Sequence, residues 1–128
     1  MKTFLLLIRE DLRKIHENED AHFEVIRTMD EWVKKLSQNG HYISGDGLTD
    51  EGRYITKSNV LSDGPFIEAK EAVSGFIFLA AEDMQQAIAL AHTCPPVQHG
   101  NMAIEVRPLM GLTDVRELKN GERTPANW

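Results

Sequence analysis

Two runs of this chain, FLLLI at 4–8 and VSGFIFLAA at 73–81, are apolar at odd and even positions alike, so as strands they have no face to give to water. A sheet built around them needs a covering layer on each side. The rest of the chain supplies two helical stripes. Phe23, Ile26, Met29, Val33 and Leu36 recur at three- and four-residue spacing, widened by Val25 and Trp32, and predict a helix over about 20–39. Asp20 or Asn18 can cap its start, and Asn39 with Gly40 supplies a left-handed stop. Met84, Ala87, Ile88 and Ala91 mark a second helix, opened by Asp83 and Gln86 and halted by Pro95 and Pro96. Two helices cover one face of a sheet. The other face, left in water, is a standing association site, so a second copy of the chain is the expected cover.

Between these landmarks, HYISGDGLTDEGR at 41–53 reads as a short strand broken by turns. Arg53–Leu61 reads as a strand, Asp63 and Gly64 as a turn, and Phe66–Lys70 as the return, which makes a hairpin. Gly75 within the second apolar run predicts a bulge or the close approach of a neighbour. Met102, Ile104 and Val106 alternate with Ala103, Glu105 and Arg107 in a half-buried last strand that Pro108 ends. The order is strand, helix, strand with hairpin, strand, helix, strand, the ferredoxin-like βαββαβ arrangement of α+β domains with one inserted hairpin. Residues 1–110 form the domain, and 111–128, charged and without periodicity, form a tail that lies free or against a partner.

At 128 residues with 41% hydrophobic side chains, the chain can bury one core without disulfides or metal. A net charge of −6 sets its average field against nucleic acid and anionic membrane, neither of which is an expected partner. The opening MKTFLLLIRE holds five successive apolar residues before Arg9, too few for a signal sequence core or a membrane span. With Cys94 as the one cysteine, read as a packing residue, a cytoplasmic protein is expected. Histidines at 16, 22, 41, 92 and 99 lack the spacing of metal ligands, so no metal or other cofactor is expected.

Asp63, Gly64, Pro65 and Phe66 suffice to make a turn and nothing else. The functional reading is that this hairpin aims Asp63, Glu68, Lys70 and Glu71 at a pocket mouth, with Phe66, Glu68 and Lys70 on one side of the strand. Glu105 and Arg107 share one side of the last strand, either as an edge ion pair or as an anion-binding arginine held by its glutamate. His92 is a natural partner for the C-terminal end of its helix, and it or His99 can serve as a general base if the fold brings it to the hairpin. The candidate acid–base groups are therefore Asp63, His92 and Glu105, and the candidate ligand-binding residues are Asp63, Phe66, Glu68, Lys70 and Arg107.

SDGPFIEAKE at 62–71, SGFIFLAA at 74–81 and IEVRPL at 104–109 together resemble the DGPF group of YCII-related proteins, across roughly residues 3–110. The resemblance implies a dimeric α+β barrel, in which two ferredoxin-like sheets pack face to face. It also implies a helix histidine paired with an aspartate for proton transfer, at a position that falls near Met29 here, with His22 two turns earlier. Two classes of function follow. One is a homodimer that binds a small molecule in a pocket beside the sheet, with lyase- or isomerase-like acid–base chemistry. The other is a noncatalytic binding or regulatory module, linked to extracytoplasmic-function sigma factors as some members of the DGPF group look to be. Met29 favours the second unless another residue supplies the base.

Overall fold

A computed structural model describes residues 1–11, 18–61 and 72–111. Along the chain run β1 (Lys2–Glu10), α1 (Glu19–Gln38), β2 (Tyr42–Gly47), β3 (Tyr54–Ile55), β4 (Val60–Leu61), β5 (Ala72–Ala81), α2 (Met84–His92), α3 (Pro95–Gln98) and β6 (Ala103–Pro108). The two doubly apolar runs become β1 and β5 and pair antiparallel in the middle of a sheet ordered β2-β5-β1-β6. The flanking strands also pair antiparallel, giving a mixed α+β fold.

Strand alternation divides the apolar residues between two faces. Phe4, Leu6 and Ile8 stand opposite Leu79, Ile77 and Gly75, and this face is buried against Trp32 and Leu36 of α1, Ala87 of α2 and Cys94. Each large side chain fully enclosed there contributes about 1.5–3 kcal/mol. Leu5 and Leu7 stand opposite Phe78 and Phe76 on the other face, where the two phenyl rings meet edge to face at 5.8 Å. These four are half-buried, and no described helix joins them.

Local chemistry explains the helix ends. The Asn18 side chain accepts from Ala21 N at 3.1 Å, and the chain leaves α1 through Asn39 into Gly40 at φ +77°. Asp83 accepts from Gln86 N at 2.8 Å, while Gln86 Oε1 accepts from Glu82 N at 2.7 Å. Helix α2 ends before the prolines rather than at them. Pro95 and Pro96 instead open α3, where a missing N–H costs nothing. Trp32 Nε1 donates to Thr93 Oγ1 at 2.8 Å and ties α1 to the end of α2.

The Arg53–Leu61 segment differs from expectation. It is not one strand but folds back within itself, β3 pairing with β4 as a separate two-stranded sheet. Thr56 drives this, since its N–H donates to Asn59 O at 2.8 Å and its hydroxyl accepts from Asn59 N at 3.2 Å, closing a turn through Lys57 and Ser58. The expected Asp63–Gly64 turn, the Phe66–Lys70 strand and most of the 111–128 tail lie outside the described residues. Gly75 meets both expectations placed on it: Ser74 bulges where Ile8 pairs with Gly75 and Arg9 with Val73, and a Cβ on Gly75 would stand 3.0 Å from Asp46 O. Among the described residues, no helix is long and apolar enough to cross a membrane.

Candidate functional site

One helical face of α1 overhangs the end of the sheet where β1 and β2 finish and β5 begins. His22, Val25, Ile26, Met29 and Asp30 share that face, and beneath them a cleft of about 400 Å³ opens over Ile8, Glu10 and Met102. Its far wall brings together Gly45, Gly47 and Gly75 among Tyr42, Asp46, Ser74 and Phe76. Gly45 has no alternative: a Cβ would lie 2.5 Å from Phe76 O and 3.0 Å from Ile77 Cγ1. Small residues there let the strands approach closely and leave room for a small ligand over a partly apolar floor. A wider hollow of about 930 Å³, lined by Asn18, Thr28, His99 and Asn101, adjoins it through Glu10, His22, Val25 and Met102.

The polar lining is mostly acidic. Glu10, Asp30, Asp46 and Asp50 surround the cleft with His22 as the imidazole among them. Asp46 is partly committed, its Oδ1 accepting from Gly47 N at 2.8 Å. His22 is set by the helix start, where its N–H donates to Asn18 O at 3.1 Å. An imidazole and a carboxylate in one cleft are what general acid–base chemistry requires. Among the described residues, no three His, Cys, Asp or Glu side chains converge as a metal site would need.

Met29, where the resemblance locates a histidine, lines the same cleft but moves no protons. Its Sδ accepts from Cys94 Sγ at 3.3 Å. Cys94 is wholly buried, and burial pushes its thiol up to about 11 against a lowering by the Val97 backbone N–H, with the Glu10 charge adding to the rise. The cysteine is a packing group, as its sequence context suggests.

Of the residues nominated from sequence, Asp63, Phe66, Glu68 and Lys70 lie outside the described residues. Glu105 and Arg107 do share a side of β6, on the sheet face away from the helices, and Arg9 joins them. Arg9 donates twice to Glu105 Oε1, from Nε at 3.1 Å and Nη2 at 2.8 Å, and Arg107 Nη1 donates to Oε2 at 3.2 Å. The hydrogen bonds from Arg9 first and Arg107 second hold Glu105 below the usual carboxylate range, against a weaker desolvation. So placed, it orients two guanidinium groups. His92 ends α2 at the surface, its carbonyl accepting from Gln98 Nε2 at 2.9 Å. Neither His92, Glu105 nor Arg107 lines the cleft.

The cleft's own groups, His22, Glu10 and Asp30, were not among the nominated residues. Two of them carried a readable signal: His22 is a polar residue on the apolar stripe of α1, and Glu10 continues the core-facing parity of Phe4, Leu6 and Ile8.

Among curated proteins, none matches this chain. The model of the YCII-related domain matches residues 3–110, which takes in every described strand and helix apart from Lys2 at the start of β1. The chain belongs to the YCII-related domain family.

Proposed function

We propose that this protein is a homodimer of the DGPF type that binds a small molecule in the cleft under α1 and carries out acid–base chemistry on it. The observation that carries the reading is the cleft itself, whose lining brings His22 and Glu10 together with Gly45, Gly47 and Gly75. In this reading His22 accepts the proton, and a carboxylate of the cleft lining stabilises the imidazolium that forms. Such a pair suits removal and return of a proton, the step shared by lyases and isomerases. The strand order β2-β5-β1-β6, with helices on one face, supports a ferredoxin-like domain. The half-buried face of Leu5, Leu7, Phe76 and Phe78 supports packing of two such sheets into a dimeric barrel.

Native mass spectrometry of gently purified protein, followed by a thermal-shift screen of small metabolites, tests the proposal. A ligand whose binding is lost in His22→Ala and Glu10→Gln, with fold and assembly retained, supports it. A ligand indifferent to both variants but lost in Lys70→Ala or Arg107→Ala overturns it and returns the site to the hairpin and last strand. Met29 favours a second reading, a noncatalytic regulatory module in sigma factor signalling. Ligand binding without turnover at any pH supports that one.

A further inference from the structure

We propose that the β3–β4 hairpin of one copy closes over the α1 cleft of a second copy, so that the site is complete only in the dimer. This rests on the dimer and cleft readings above. Tyr54, Ile55 and Val60 on the hairpin are 51%, 72% and 64% exposed, and beyond their own pairing these strands have no substantial packing against another described element. A lone two-stranded hairpin is marginal in water, so apolar side chains on one are a surface awaiting a cover. The cleft offers the matching surface. Ile26 on α1 and Leu48 across the mouth line it and are 46% and 51% exposed, and Phe23, next to the lining residue His22 in α1, is 69% exposed.

Charge selects the same pairing. From Gly52 to Leu61 the hairpin carries Arg53 and Lys57 and no acid, whereas Glu10, Asp30 and Asp46 line the cleft. Arg53 is exposed, its Nη1 donating to Gly52 O at 2.7 Å and its Nη2 standing 3.7 Å from Glu51, an ion pair that competes little. The hairpin's root, Leu48 with Asp50, forms the rim of its own cleft, yet β3 and β4 have no substantial packing against their own α1. A second copy is therefore the occupant, and two-fold symmetry makes each such contact twice.

Cysteines at Phe23 and Ile55 test this in the full-length protein, since both positions are exposed and buried Cys94 does not compete. Under mild oxidation the double variant Phe23→Cys/Ile55→Cys should form a covalent dimer at least roughly tenfold faster than either single variant, because apposed thiols react at a far higher effective concentration. Lys57→Glu should slow that reaction. The pair Ile26→Cys/Tyr54→Cys repeats the test should the first variant fold poorly. A disulfide closed within one chain overturns the inference in favour of a cleft covered by its own hairpin. A sedimenting dimer whose double variant reacts no faster than the singles overturns the inference and leaves the dimer standing. A wild-type monomer removes the dimer reading and this inference with it.

Discussion

Cys94 and Glu105 titrate in opposite senses, and each reports on its surroundings. Burial pushes the Cys94 thiol up to about 11, so at mildly alkaline pH it stays protonated and unreactive. A thiol reagent should therefore label native protein only as fast as the core opens, and denatured protein at once. Rapid stoichiometric labelling of the native state would contradict this. Because the folded value is raised, the contribution of Cys94 to stability is fully present below its unfolded value of about 8.5 and is lost as pH rises toward the folded one. Glu105 behaves in the reverse way, its folded value being depressed by Arg9 and Arg107. Its contribution is present above the unfolded value of about 4.3 and is lost as pH falls through the folded one. In a series of melting temperatures against pH, the deficit of Glu105→Gln should be largest near neutrality and vanish in acid. A constant deficit would mean that the side chain packs rather than pairs.

Helix α1 carries both a core stripe and one wall of the cleft, and Asn18 sets where it begins. Asn18→Ala should cost about 1 kcal/mol in denaturant unfolding, as loss of an N-cap does. Loss of the Asn18 side-chain bond to Ala21 N frays the turn that carries His22, so ligand binding in the cleft should weaken too. A stability loss with binding unchanged would separate the helix start from the site. At this scale the sequence is legible where period decides structure: the α1 stripe, the doubly apolar β1 and β5 and the alternating β6 all follow from spacing of side chains. It misleads at 53–61, which the strand formers Tyr54, Ile55, Val60 and Leu61 make look like one strand, whereas Thr56 bonds Asn59 and closes a turn through Lys57 and Ser58. The cleft was hidden for another reason. Its groups come from the end of β1, one face of α1 and glycines of β2 and β5, and only the tertiary fold brings these together.

Across the whole molecule, the helices lie on one side of a sheet whose two inner strands are apolar on both sides. Phe78 stands on the face away from the described helices, opposite Leu5 in the register and against Phe76 edge to face, and takes no part in the helix-side core. If a second copy covers this face, burying each such side chain contributes about 1.5–3 kcal/mol, and symmetry doubles every contact. Phe78→Asp would bury an unpaired carboxylate in both halves of that interface, a loss larger than one side chain's contribution. The helix-side core is untouched by the change, so far-UV circular dichroism should keep its native form. Sedimentation at micromolar concentration should pass from dimer in the wild type to monomer in the variant. Cleft ligands should bind the monomer more weakly if the partner's hairpin closes the site, and equally well if each copy's cleft is complete alone. A variant that remains dimeric would show that the copies meet through some other surface and that the phenyl pair is only the outer skin of the sheet.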